Sequence, residues 1–168
     1  MILYSCDDLI NQCDVEIEGK CYSIDNTTIL NLASKGLKEI PDEVFLLTNL
    51  TSLSLSYNKI KEIPIDITSL SKLQYLYLNN NQISSMNYAL GELSYLKFLN
   101  LKYNMIDEVI HDSICVLIQN NCYIDLIGNL IPSPFPSCIN ENLNIFTEVR
   151  IWNTDYSVLN TTELDLRN

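Results

Sequence analysis

Leu50-Thr-Ser-Leu-Ser-Leu-Ser-Tyr-Asn-Lys-Ile60 is followed by Leu73-Gln-Tyr-Leu-Tyr-Leu-Asn-Asn-Asn-Gln-Ile83 and then by Leu96-Lys-Phe-Leu-Asn-Leu-Lys-Tyr-Asn-Met-Ile106. All three read L-x-x-L-x-L-x-x-N-x-I, and their starts at 50, 73 and 96 lie 23 residues apart. Self-similarity at a fixed period of this size marks a solenoid, in which no single unit can bury its own apolar face. Counting back by the same step gives a unit starting near Thr27, with Leu30, Leu32, Leu37 and Ile40 on apolar positions. Counting forward gives a degenerate unit starting near 121, with Ile124, Leu126 and Asn129 in place after a two-residue insertion.

The pattern has a physical reading. In x-x-L-x-L-x, alternate residues of a short strand face one way, which puts Leu53/Leu55, Leu76/Leu78 and Leu99/Leu101 in the core. The strands of successive units then stack as a parallel sheet. The asparagine that follows each strand (Asn58, Asn81, Asn104, Asn129) turns the chain, and its amide can satisfy backbone groups left bare at the turn. A structural asparagine ladder is the expected result. The first unit has Lys35 in that place, as an end unit with no predecessor can.

Over about residues 27 to 131 the chain resembles the leucine-rich-repeat family. Leu37-Lys-Glu-Ile-Pro and Ile60-Lys-Glu-Ile-Pro resemble its Ile-Pro subclass, while Met86-Asn87 and Val109-Ile110 depart from it. The resemblance implies an α/β solenoid, a short curved horseshoe. Its parallel sheet would line the concave face, with irregular, 3-10 or short helical segments on the convex side. Both ends need caps: residues 1–26, which carry three cysteines, and residues 132–168. In the latter, Ile131-Pro-Ser-Pro-Phe-Pro-Ser cannot be helical, Asn144 to Trp152 reads as a strand, and Val158 to Asn168 is polar.

Composition bounds the function. Hydrophobic residues make up 47% of the 168 and charged ones 18%, a globular balance. The formal charge of −11 repels phosphate backbones, so no nucleic-acid partner is expected. Met1-Ile-Leu-Tyr-Ser-Cys-Asp-Asp shows no basic or apolar leader region, and no apolar run approaches the roughly 20 residues of a membrane span. This favours an intracellular protein unless a leader has been removed. Oligomeric state is not legible.

Cys6, Cys13 and Cys21 precede the repeats, and Cys115, Cys122 and Cys138 fall at the other end. Disulfides and reduced buried thiols both fit this distribution. Cys115 and Cys138, at nearly equivalent convex positions of adjacent units, are the pair to test for a bridge. Three cysteines per end leave at least one unpaired or paired elsewhere. With no C-x-x-C and a single histidine, His111, no metal is expected, and no cofactor motif is present. Asn26-Thr-Thr, Asn49-Leu-Thr and Asn160-Thr-Thr are glycan sequons, although such triplets also arise by chance in an asparagine-rich chain.

In the architecture the resemblance implies, outward strand positions line the concave face. The third positions read Ile29, Ser52, Tyr75, Phe98, Tyr123, the fifth Asn31, Ser54, Tyr77, Asn100, Asp125, and the seventh Ala33, Ser56, Asn79, Lys102, Ile127. Tyr57 and Tyr103 flank them at the eighth. Tyr57, Tyr75, Tyr77, Phe98, Asn100, Lys102, Tyr103 and Tyr123 are therefore the candidate partner-binding residues. Tyrosine is frequent in binding hot spots because it offers large area at low entropic cost. The competing account is that the rings simply pack across the strands. No nucleophile elbow or phosphate loop is present, and His111-Asp-Ser is sequence-adjacent on the convex side, so no enzyme is expected. The expected function is a non-catalytic protein-recognition module. The alternatives are a structural component of a larger assembly using its caps, and the ligand-binding ectodomain of an exported glycoprotein.

Overall fold

The computed structural model of the chain describes residues 13–132 and 138, together with the strand backbone at 150–151 and 154–155. Cys6, the third sequon at Asn160, most of the strand expected over 144–152 and the polar tail lie outside the described residues.

The chain enters through a hairpin, β1 (Val15–Ile17) and β2 (Lys20–Tyr22), paired antiparallel. Its two-residue connection needs left-handed backbone at both positions, and Glu18 (φ 51) and Gly19 (φ 71) supply it. Val15 and Ile17 face inward and close the apolar end of the solenoid. Cys13 and Cys21 are disulfide-bonded across this hairpin, with Cα atoms 5.1 Å apart.

Five strands follow, β3 (Ile29–Asn31), β4 (Ser52–Ser54), β5 (Tyr75–Tyr77), β6 (Phe98–Asn100) and β7 (Tyr123–Asp125). Each pairs in parallel with the next, so that Leu30, Leu53, Leu76, Leu99 and Ile124 form one register column. All five are buried, and Leu53, Leu76 and Leu99 have no exposed surface. The sheet continues through β8 (Arg150–Ile151), parallel to β7, and β9 (Thr154–Asp155), antiparallel to β8.

On the opposite side the first three units turn through short 3-10 segments, Asp42–Leu46, Ile65–Ser69 and Tyr88–Glu92. Pro41 and Pro64 start the first two, with φ fixed near the required value and no N–H to leave unpaired. Asn87 stands one repeat later and does the same work by hydrogen bonding: its Oδ1 accepts from Ala89 N at 2.9 Å and its Nδ2 donates to Ile63 O at 3.0 Å. The departure from Ile-Pro is thus a chemical substitute within the same turn. The fourth unit uses an α-helix instead, α1 (Ile114–Gln119), stopped by Asn121 in left-handed conformation (φ 58). The two inserted residues are taken up on this side, which leaves the strand register intact. Cys115 of α1 is bonded to Cys138, with Cα atoms 5.5 Å apart.

The asparagines join the units. Asn81 Nδ2 donates to Leu55 O of the preceding unit and to Leu78 O of its own, both at 3.0 Å, while its Oδ1 accepts from Ile60 N at 3.0 Å. Asn58, Asn104 and Asn129 repeat this arrangement toward Leu32, Leu78 and Leu101. Asn58 reaches Lys35 N and Leu37 N of the first unit, which has no ladder residue of its own. Among the described residues no helix is long and apolar enough to cross a membrane.

Candidate functional site

Because the strands pair in register at one repeat per step, residues at equal positions become neighbours across the sheet. The outward faces of β4 to β7 present Ser52, Tyr75, Phe98 and Tyr123 in one row and Ser54, Tyr77, Asn100 and Asp125 in the next. Tyr77 and Phe98 have ring centroids 5.4 Å apart and tilted, and Phe98 stacks on Tyr123 at 5.5 Å with 10° between planes. These three rings are half-buried against one another, a cross-strand packing that stabilises the sheet. Tyr75 keeps 39% of its surface exposed, Tyr57 62% and Tyr103 51%. The six aromatic candidates therefore fall into a packed set of three and a solvent-facing set of three.

The polar members are held rather than free. Asn100 is half-buried and accepts from Lys102 N at 3.1 Å, a local turn that ends the strand. Lys102 Nζ lies 3.7 Å from the Asp125 carboxylate and 5.5 Å from the centre of the Tyr103 ring. Asp125 also accepts from Ile127 N at 3.2 Å and is only 5% exposed. The acid among the outward positions thus lies buried and is paired with a half-buried lysine, in the one ion pair among the described residues. Ser56 and Ile127, at seventh positions, are likewise buried and offer a partner little surface.

One feature of the face was not legible in the sequence. The eighth position of every unit has left-handed backbone: Ser34 (φ 58), Tyr57 (φ 58), Asn80 (φ 57), Tyr103 (φ 53) and Gly128 (φ 76). Asparagine and glycine tolerate this conformation, whereas a bulky side chain is strained by on the order of 1 kcal/mol or more. No single residue type runs through the column, so only the asparagine and glycine hinted at it. Gly128 is required twice over, since a Cβ there would strike the Tyr103 ring.

The residues considered for catalysis do not converge. His111 is exposed, and its Nδ1 accepts the backbone N–H of Ser113 at 3.0 Å, so the serine hydroxyl is not what meets the imidazole. Its ring lies 6.3 Å from that of Tyr88 on the convex side. Asp107 and Glu108 are solvated there. Cys122 is a buried free thiol whose pKa burial pushes up to about 12, which leaves it unreactive. Among the described residues no cluster of histidine, cysteine or acidic side chains could hold a metal ion.

Residues 25–83 match a family model described as leucine rich repeat. No curated protein matches. Among solved structures the chain is similar to an internalin C2 from Listeria monocytogenes, with 28% identity and a TM-score of 0.61 over 74% of this chain and 51% of that one. It is also similar to the BIR2 ectodomain from Arabidopsis thaliana, with 25% identity and a TM-score of 0.59 over 67% and 60% of the two chains. A third is the plant peptide hormone receptor RGFR1 in complex with RGF2, with 28% identity and a TM-score of 0.58 over 67% of this chain and 18% of the receptor. The chain spans less than two thirds of each of these proteins.

Proposed function

For a chain built of leucine-rich repeats, as this one is, we propose a non-catalytic role in which the outward face of β4 to β7 recognises a partner protein. The observation that carries this reading is that Tyr57, Tyr75 and Tyr103 stand exposed while Tyr77, Phe98 and Tyr123 are packed ring to ring on the outward side of β5 to β7. Pre-packed rings lose little conformational freedom on binding, and exposed tyrosines add area and a hydroxyl each. Two of those tyrosines occupy strained backbone that glycine or asparagine would relieve, which is the form strain takes when a side chain is kept for use. The hormone receptor of similar structure holds a peptide ligand, in keeping with this class of role. The two disulfides favour the exported form of the same role over an intracellular one.

The test is a double substitution, Tyr75→Ala with Phe98→Ala. A photoreactive side chain at position 75 first identifies the partner by crosslinking, and the purified pair is then titrated. Binding is expected to weaken by about 2 kcal/mol or more while the protein stays folded. Unchanged affinity in a folded double mutant would rule out this face.

A further inference from the structure

Two sequons lie among the described residues, Asn26-Thr-Thr and Asn49-Leu-Thr, and they stand 23 residues apart, in one column of the solenoid. Their side-chain nitrogens are in opposite situations. Asn49 is half-buried, and its Nδ2 donates to Asp25 O at 3.0 Å and Ile24 O at 3.5 Å, while its Oδ1 accepts from Lys72 Nζ at 2.6 Å. The Asn49 amide nitrogen is thus turned toward the backbone of residues 24 and 25, where it ties the first repeat to the cap. Asn26 is exposed in the turn between β2 and β3. Among the described residues its Nδ2 has one partner, Ser23 Oγ at 3.1 Å, which leaves its second hydrogen to solvent.

An N-linked sugar replaces one of those two hydrogens. We infer that Asn26 is a glycan acceptor of this chain and that Asn49 is not. The compartment follows from the bonds Cys13–Cys21 and Cys115–Cys138, which form where the surroundings are oxidising. The donor class is an oligosaccharide carried on a polyprenyl diphosphate. Asn26 Nδ2 forms a bond to the anomeric carbon as the bond from that carbon to the diphosphate oxygen breaks. The diphosphate leaves with the electron pair, and the Nδ2 proton passes to a base of the transferase. The folded chain accommodates the product at Asn26 with the Ser23 bond intact. At Asn49 it would delete a cap bond and drive a sugar against residues 24 and 25.

The experiment is secretion of the full chain behind a cleavable leader from a eukaryotic cell, whose own lipid-linked oligosaccharide is the probe. Glycans are then released enzymatically in heavy-oxygen water, which converts each occupied asparagine to labelled aspartate, and the peptides are read by mass spectrometry. Occupancy is scored on cell-associated as well as secreted chain, so slow export does not decide the result. Label is expected at Asn26 and absent at Asn49, with Thr28→Ala removing it from Asn26. Asn49→Gln is expected to lower the melting temperature and Asn26→Gln to leave it unchanged. An unlabelled Asn26, or a labelled Asn49 in folded protein, overturns the inference. Free thiols at Cys13, Cys21, Cys115 and Cys138 in protein from its native source overturn it equally.

Discussion

The two faces of β4, β5 and β6 are one residue out of phase on the same strands, and they obey different rules. Inward, Leu53, Leu76 and Leu99 repeat without variation and are wholly buried. Outward, their neighbours Ser52, Tyr75 and Phe98 change at every step. Burial against close-packed neighbours restricts the inner column to one size and shape, whereas the outer column meets solvent and its own neighbours and is free to carry specificity. A repeat protein thus separates the side chains that hold it together from those it displays by a pleat of the backbone.

That separation can be broken first from the inside. Leu76→Ala removes a side chain with no exposed surface and is expected to cost roughly 2–5 kcal/mol through the cavity it leaves. Chemical denaturation measures it, and a loss well under that range would mean the register is misassigned. Asn81→Ala probes the seam between units. It leaves Ile60 N and two carbonyls without their partner in a buried turn, so a loss of about 3 kcal/mol is expected by the same assay. A near-neutral result would mean that water takes the amide's place.

On the outer face the sign should reverse. Tyr57→Gly relieves left-handed strain at an exposed residue and is expected to raise stability by about 1 kcal/mol while weakening partner binding. Equal or better binding would reduce Tyr57 to a bystander. The smallest effect at neutral pH belongs to Cys122. Its thiol stays protonated when folded, with a pKa raised from 9.0 to about 12. The unfolded chain therefore loses that proton first, and the stability involved is fully present below pH 9 and lost as pH rises toward 12. Cys122→Ala should flatten the alkaline limb of the stability profile and change little in its slope near pH 7.

The sequence discloses the fold through what must be invariant: the 23-residue step, the inward leucines and the asparagines at 58, 81, 104 and 129. It hides what depends on geometry without a fixed residue type. The left-handed column runs Ser, Tyr, Asn, Tyr, Gly, because several side chains can be held there at differing cost. The change from 3-10 turns to α1 follows from two extra residues, and their count is visible although their conformation is not. The aromatic face was legible as a list, but not its division. Contact between Tyr77, Phe98 and Tyr123 depends on ring orientation, and Asp125 turned out to be buried through its pairing with Lys102.

The asparagine ladder also gives the solenoid an arrow. Every rung is supplied from downstream: Asn58 completes the turn of the first unit, Asn81 that of the second, and so on to Asn129. A ribosome delivers the amino terminus first, so each newly made unit must wait for an asparagine 21 to 28 residues behind the groups it will satisfy. Until that residue emerges, Ile60 N and its counterparts in the other units lack the amide oxygen they will meet. The horseshoe is therefore finished in the order in which it is translated, one repeat late at every stage.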